Sequence, residues 1–174
     1  MGQYWKLVNL DKMECVNPHM LGVGLKLGEQ IGSGHGTPDA LFILVAAMRE
    51  RRGGGDFDWD SNYHGVDRYT SEAKNANLHG GKVNEDYDTI AKRTIGRWAG
   101  DRVAVVGDYT EDSDLPGSPI PASEIYVECE DEYTKEAKEP KKFKDITADV
   151  AKVIEHEIGG KFVGSGWKQF KPLR

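Results

Sequence analysis

The sequence predicts an α+β fold, with a mostly antiparallel sheet and about three helices in a single domain spanning residues 1–174. Three patterns support this prediction: a pair of β-rich segments near the start, an amphipathic helix near the end, and no repeated strand-helix-strand unit. The composition agrees with it. With 38% hydrophobic and 30% charged residues, a chain of 174 residues can bury a core of its own without disulfides or a structural metal.

The first elements follow from local signals. Residues 4–10 and 13–16 are β-rich and flank Asp11 and Lys12, which predicts a hairpin. Residues 21–31 predict a short helix, although three glycines weaken it. Thr37 is a suitable N-cap, and Pro38 is a suitable first helical residue. Residues 38–51 are therefore expected to form a buried helix that ends at the glycines 53–55.

Later elements are predicted from spacing. Residues 102–106 form a β-branched run between two Gly-Asp pairs, and residues 125–128 alternate apolar and polar side chains, so both predict strands. Residues 145–158 predict the best helix, with Asp145 as its N-cap and Gly159 at its end. Its apolar residues recur at spacings of three and four: Ile146, Val150, Val153, Ile154 and Ile158.

A polar segment at residues 56–88 shows no sustained periodicity and predicts a long, loop-rich insertion. Such loops are unusual in compact domains unless they are functional or mobile, so this segment is the first place to look for a site. A disordered surface insertion explains it equally well.

Charge is unevenly distributed. The net charge of −6 argues against general nucleic-acid binding, which needs concentrated Lys and Arg. Residues 108–132 contain nine acids and no Lys or Arg, whereas residues 135–144 are rich in lysine. A solvated face explains most such runs, and a surface matched to a charged partner is the alternative.

The compartment is inferred from what the chain lacks. The longest apolar run, residues 40–48, is about half the length or less that a bilayer span needs, and the first residues do not read as a secretion signal. Cys15 and Cys129 form no CxxC pattern. We therefore expect a cytoplasmic protein without membrane contact.

One motif suggests a metal ion. Carboxylates fall at positions 1, 3, 5 and 12 of a calcium-loop template: Asp56, Asp58, Asp60 and Asp67. Ser61 replaces the glycine of the template's sharp turn, and Asp67 replaces its bidentate glutamate. The motif predicts at most weak binding of a divalent cation, and no other cofactor is expected.

A second carboxylate cluster follows the strand predicted at residues 102–106. Asp108, Glu111 and Asp112 resemble the Gly-Asp-x-x-Asp motif of metallophosphoesterases, with Glu111 in its last place. With His64 or His79 as a further ligand, they would form a hydrolytic metal site. The remaining motifs of that family are missing, and a strand that ends in a Gly-Asp turn is the ordinary explanation.

Aromatic and charged residues near flexible glycines are the candidates for binding. Arg97 and Trp98 lie beside Gly96 and Gly100, where large amphipathic side chains suit a recognition surface. The full candidate set is Arg97, Trp98, Asp101, Arg102 and Tyr109. Core packing is the commoner role of such aromatic residues.

Four segments carry a resemblance to other proteins: residues 1–12, residues 25–30, residues 49–57 and above all residues 95–112, with the sequence IGRWAGDRVAVVGDYTED. They resemble a group of small uncharacterised proteins found in bacteria, notably actinobacteria, in their phages and in fungi. The resemblance implies no activity, fold or catalytic residue.

Taken together, these observations predict a cytosolic, non-enzymatic accessory protein that binds another macromolecule, with a protein partner expected and a phage origin among the expectations. One alternative is a metal-dependent, phosphoesterase-like hydrolase. The other is a small-ligand or calcium-binding module, for which the glycine-rich residues 32–36 could supply backbone amides.

Overall fold

A four-stranded sheet organises the chain. The computed structural model describes residues 3–47, 85–129, 142–164 and 168–172. The strands of the sheet are β1 (Trp5–Asn9), β2 (Glu14–Val16), β3 (Val103–Gly107) and β4 (Lys144–Asp145). They lie in the order β3-β1-β2-β4, and every pair is antiparallel except β2 with β4. Strands β5 (Gly160–Val163) and β6 (Gln169–Pro172) form a separate antiparallel pair.

Five α-helices accompany the strands within the described residues, two more than the three expected. They are α1 (Leu27–Ile31), α2 (Thr37–Val45), α3 (Glu85–Thr94), α4 (Ala122–Glu128) and α5 (Thr147–Ile158). Short 3₁₀ helices lie at Pro18–Leu21 and Asp112–Asp114. The predicted α+β class with a mostly antiparallel sheet is confirmed.

Each face of the sheet supports its own core. Side chains alternate between the faces of a strand, so Leu7 and Val8 on β1 point to opposite sides. Leu7 packs with buried residues of α2, α3 and α5. Val8 packs with Ile125 of α4 and with Phe143. The sheet is therefore a middle layer, and the second core explains why α4 lies on the side away from the other long helices.

The second core also brings the two cysteines together. Cys15 and Cys129 are both buried, and the thiol of Cys129 hydrogen-bonds to Cys15. Burial, reinforced by this contact, raises the pKa of the Cys129 thiol far above its ordinary value. The Cys129 thiol consequently behaves as a small apolar side chain at neutral pH.

Several predicted elements are confirmed. The N-terminal hairpin is formed by β1 and β2, the strand predicted at residues 102–106 is β3, and the last predicted helix is α5. The predicted N-cap of this helix is wrong, because Ile146 and not Asp145 is the N-cap; Asp145 Oδ1, one residue earlier, accepts a hydrogen bond of 2.8 Å from the backbone N–H of Thr147. Gly159 follows the helix in the left-handed conformation, with a φ of 72°.

The strand predicted at residues 125–128 is wrong, because this segment belongs to α4. Ala122, Ile125 and Cys129 are buried at spacings of three and four, whereas Val127 is 51% exposed. The helical period therefore decides which side chains enter the core, and the short alternation of Ile125 and Val127 was misleading.

Two predicted helices are shorter than expected. Of residues 21–31 only Leu27–Ile31 form α1, because Gly22 ends the preceding 3₁₀ helix in a left-handed conformation with a φ of 71°. Helix α2 ends at Val45 rather than at residue 51. The carbonyls of Ile43 and Leu44 instead accept hydrogen bonds from the backbone N–H groups of Gly96 and Trp98, at 2.9 and 2.8 Å.

The predicted polar insertion is only partly testable. Residues 56–84 lie outside the described residues, as do residues 48–51 of the predicted helix. Residues 85–88, assigned to the insertion, instead begin α3. The single domain over residues 1–174 stays a prediction.

Candidate functional site

Four of the five candidate binding residues converge on one end of the hairpin formed by β1 and β2. Arg97, Trp98, Asp101 and Arg102 belong to the segment between α3 and β3, and each contacts a residue of the hairpin or of its turn. We call residues 97–102 the clamp segment. The clamp segment together with its hairpin partners is called the clamp; these partners are Asn9, Asp11, Lys12 and Glu14. Tyr109 lies elsewhere, just beyond β3, and is 59% exposed.

The centre of the clamp is Glu14, a buried carboxylate on β2 that the sequence analysis missed. Its Oε2 accepts hydrogen bonds from Arg97 Nε at 2.8 Å and from the indole Nε1 of Trp98 at 2.9 Å. Its Oε1 accepts a short hydrogen bond from Arg97 Nη2. The Trp98 side chain is fully buried, so the carboxylate also satisfies the indole N–H inside the core.

The electrostatics of Glu14 follow from two opposing effects. Burial by itself raises the pKa of a carboxylate, but the hydrogen bonds from Arg97 and Trp98 together outweigh it, so the pKa of Glu14 lies below its ordinary value. The same pairing raises the pKa of the Arg97 guanidinium, despite its partial burial. The pair is thus ionised throughout the physiological pH range.

The rest of the clamp holds the hairpin turn. Asp101 Oδ2 accepts hydrogen bonds from Asn9 Nδ2 at 2.8 Å and from the ammonium of Lys12. Arg102 donates from its backbone N–H and from Nε to the two carboxylate oxygens of Asp11, both at 2.7 Å.

These contacts have electrostatic consequences of their own. The hydrogen bonds from Arg102, first through its backbone and then through its side chain, lower the pKa of Asp11. Those from Lys12 and then from Asn9 lower the pKa of Asp101. Most polar groups of the clamp are therefore used within the molecule, so the role supported for these four residues is to hold the hairpin.

Two of the carboxylates proposed as metal ligands accept hydrogen bonds from backbone N–H groups. Asp108 Oδ1 accepts from the backbone N–H of Tyr4 at 3.0 Å, and Asp112 Oδ1 accepts from that of Ala122 at 2.8 Å. Among the described residues, no three His, Cys, Asp or Glu side chains come together as metal ligands would. Glu111 therefore does not complete a metal site with these two acids there. The other proposed ligands, Asp56, Asp58, Asp60, His64, Asp67 and His79, lie outside the described residues.

Within the described residues, an unpaired edge of the sheet lies directly before the acidic residues 108–114. Strand β3 has β1 as its neighbour on one side and no paired strand on the other within the described ranges. The N–H of Asp108 bonds to the carbonyl of Tyr4, and that of Leu10 bonds to the carbonyl of Arg102. Hydrogen-bonded pairs alternate along an antiparallel ladder. Every second residue of β3 therefore directs its N–H and C=O away from β1.

Three residues of β3 face outward by this rule, namely Val103, Val105 and Gly107. Both backbone groups of Gly107 already have hydrogen-bond partners. Its N–H donates to Thr110 Oγ1 at 2.8 Å, and its carbonyl accepts from the Thr110 N–H at 3.1 Å. Val103 and Val105 have no such partner in the described part of the chain. Two residues thus present backbone donors and acceptors along a free edge.

The surroundings of this edge are apolar and acidic. Val105 is 40% exposed, and Tyr109, which follows the strand, is 59% exposed. Exposed carboxylates come next, at Asp108, Glu111, Asp112 and Asp114. A cavity of about 340 Å³ lies beside the same loop, where Asp112 is joined by Leu115, Ile120 and neighbouring proline residues. We call the outer edge of β3 together with the loop 108–114 the acidic edge.

Comparison with known proteins returns no match among protein-family models, curated proteins or solved structures. In the described ranges, no helix is both long and apolar enough to cross a membrane.

Two signals in the sequence could have revealed the missed features. Glu14 is an acid inside a β-rich segment, and a buried acid requires a paired donor. The residues 103–107, VAVVG, form a strand with no Lys or Pro, which are the residues that usually protect an edge.

Proposed function

We propose that this protein is a non-enzymatic accessory protein that binds another protein by pairing an extended, basic segment of that partner with the acidic edge. The observation that carries the proposal is the outward-facing backbone of Val103 and Val105, which leads directly into exposed carboxylates. Addition of a strand to a free sheet edge is a common mode of peptide recognition.

The backbone supports the affinity of such a complex. Val103 and Val105 together offer two N–H groups and two carbonyls in strand geometry. The side chain of Val105 is 40% exposed and offers apolar contact to a bound strand. Because β3 is already held by β1, a bound segment would not have to organise the site before pairing.

Charge supports the choice of a basic partner. From residue 103 to residue 134 the chain contains no Lys or Arg, so no cation of this segment competes for the exposed acids of the loop. The cavity beside Asp112 combines a carboxylate with apolar walls, which suits the aliphatic stem and charged end of a Lys or Arg side chain. Complementary charge would also accelerate association.

The proposal places the protein in the cytoplasm. Both cysteines are buried free thiols in contact with each other, and a reducing compartment preserves that state. No part of the acidic edge is assigned a catalytic role.

A displayed library of random decapeptides provides the test. We expect selection against the protein to enrich peptides that combine Lys or Arg with alternating β-branched or aromatic residues. A selected peptide should bind less tightly as salt is raised, because exposed charges are screened. Neutralising two acids of the loop with Glu111→Gln and Asp114→Asn should likewise weaken binding of the selected peptide.

A matched pair of variants tests the edge itself. Val105→Pro removes the outward N–H and should weaken binding of the selected peptide by about tenfold or more. Val105→Thr retains the N–H, so its affinity for the peptide should lie within about twofold of that of the parent chain. As an independent arm, N-methylation at alternate peptide residues should abolish binding to the unaltered protein. Equal binding by Val105→Pro and Val105→Thr, or by methylated and unmethylated peptides, would refute strand pairing.

A further inference from the structure

A second feature lies on the other side of the clamp, away from the acidic edge. It is a cavity of about 360 Å³ between the end of α3, the start of the clamp segment and the start of α5. The described residues that line it are Arg93, Thr94, Arg97, Lys144, Ile146 and Asp149. Three of these are cationic and one is anionic, in a protein whose net charge is −6.

The two arginines are held in fixed orientations by carboxylates. Arg93 donates from Nε and Nη2 to the two oxygens of Asp149, at 2.9 and 2.7 Å. Arg97 forms a similar fork with Glu14 and donates from Nη1 to the backbone carbonyl of Arg93 at 3.3 Å. A guanidinium has five N–H donors, so Arg93 retains three and Arg97 retains two. The ion pairs thereby position the arginines without using all of their donors.

Lys144 and Thr94 add unused groups to the same cavity. The positive charge of Lys144 contributes to the lowered pKa of Glu14, but its ammonium forms no ion pair or hydrogen bond among the described residues, and the side chain is exposed. The hydroxyl of Thr94 is buried and has no hydrogen-bond partner in the described part of the chain, and the residue is only 1% exposed. A buried hydroxyl without a partner is costly and calls for an explanation. A ligand in the cavity would account for it if binding turns the hydroxyl inward.

We propose that this cavity binds a phosphate monoester of a small molecule. The guanidinium N–H groups that the two carboxylates leave unused, together with a lysine ammonium, are strong donors to the several oxygens of a phosphate, and the Thr94 hydroxyl can donate one further hydrogen bond. The carboxylate of Asp149 is the one acid among the described lining residues, and both of its oxygens are occupied by Arg93. The volume falls within the range of small-molecule sites, and Ile146 supplies an apolar wall for the organic part.

Titration calorimetry with phenyl phosphate tests the inference, with inorganic phosphate and sodium chloride as reference titrants. We expect phenyl phosphate to bind more tightly than inorganic phosphate, since only the ester can contact the apolar wall. Sodium chloride at equal ionic strength should produce no saturable heat. No saturable heat with phenyl phosphate at millimolar concentration would overturn the proposal.

Two matched pairs of variants locate the binding. Lys144→Gln should weaken the binding of phenyl phosphate by about tenfold, the loss expected for one charge-assisted hydrogen bond. The control Lys161→Gln should change the affinity by less than about twofold. Thr94→Val should weaken binding by about threefold to tenfold. The control Thr37→Val alters the other buried threonine hydroxyl without a partner, which lies outside this cavity, and should leave binding unchanged.

Equal losses in both lysine variants would indicate diffuse charge attraction and overturn the assignment, as would unchanged binding in Thr94→Val. The inference does not depend on the acidic edge. Val105→Pro should leave phenyl phosphate binding intact, so failure of one proposal is distinguishable from failure of the other.

Discussion

The clamp segment and the acidic edge adjoin the same strand, β3, but differ in how their polar groups are paired. At the clamp, Glu14 accepts three hydrogen bonds from two side chains and is almost entirely buried. At the edge, the outward backbone groups of Val103 and Val105 have no partner in the described ranges. The clamp connects α3 directly to the start of β3, so the two regions are also neighbours in the chain.

This difference shows that the residues that make the sequence distinctive are not the residues that leave a surface available for binding. The clamp contains the most recognisable block of the chain, with Arg97 and Trp98 at its centre. Those side chains bind the hairpin through Glu14. The edge is formed by small apolar residues that give no motif. We infer that recognition surfaces in this protein are better found by asking which groups remain unpaired than by asking which residues are unusual.

Proline substitution along β3 gives the largest expected effect and tests the open edge directly. The N–H of Ala104 points toward Val8 on β1, so Ala104→Pro removes a ladder hydrogen bond and should lower the free energy of unfolding by about 3 kcal/mol or more. The N–H of Val105 points outward, so Val105→Pro should lower it by less than about 1 kcal/mol. Urea denaturation measures both.

The contrast between neighbouring prolines is the diagnostic result. If Val105→Pro destabilised the protein as much as Ala104→Pro, the N–H of Val105 would be paired and the edge would be closed. Val105→Thr serves as the control for loss of the valine side chain.

Removal of Glu14 should produce the next largest effect. Glu14→Ala leaves the Arg97 guanidinium and the buried indole N–H of Trp98 without their acceptor, and we expect a loss of about 3 kcal/mol in the free energy of unfolding. The matched control is Glu124→Ala, because Glu124 pairs with Lys142 at 3.1 Å with both side chains half exposed. That surface pair should contribute at most about 0.5 kcal/mol. Similar losses in the two variants would contradict the structural role of the clamp.

Much of the fold could be predicted from local patterns, and the failures have physical causes. The first hairpin, β3 and α5 carry clear signals of period and capping. Helix α4 was misread because four residues cannot distinguish alternation from a helical face; only the burial of Ala122 and Cys129 decides it. Helix α2 ends early because Gly96 and Trp98, some fifty residues later, bind its last carbonyls. No local pattern records such a contact.

The sites were harder to predict than the fold. Arg97 and Trp98 were identified as notable, yet their partner Glu14 is more than eighty residues away, so their internal role was not visible. The proposed phosphate cavity combines Arg93 of α3 with Lys144 of β4, residues far apart in the sequence that only the tertiary packing brings together. The proposed calcium loop stays a prediction.

A more conservative change at the clamp should have an intermediate effect. Trp98→Phe retains most of the buried ring but removes the N–H that donates to Glu14, so we expect a loss of about 1 to 2 kcal/mol in the free energy of unfolding. Trp5→Phe is the control, since Trp5 is only partly buried and should change stability by less than about 0.5 kcal/mol. Equal effects would mean that ring size, and not the hydrogen bond to Glu14, accounts for the loss.

Acidification should weaken the clamp, although this effect on stability is small near neutral pH. The pKa values of Glu14, Asp11 and Asp101 are all lowered in the folded protein, so these groups bind protons more readily when the chain is unfolded. Their contribution to stability is present above the ordinary carboxylate pKa of about 4 to 4.5 and is lost as pH falls through the lowered folded values. Urea denaturation between about pH 7 and pH 3 should show stability declining at the acid end, and Glu14→Gln should show a shallower decline than Glu111→Gln. A decline of the same steepness in both variants would mean that Glu14 titrates like an ordinary surface acid, and the distinction between a paired clamp and an unpaired edge would lose its electrostatic basis.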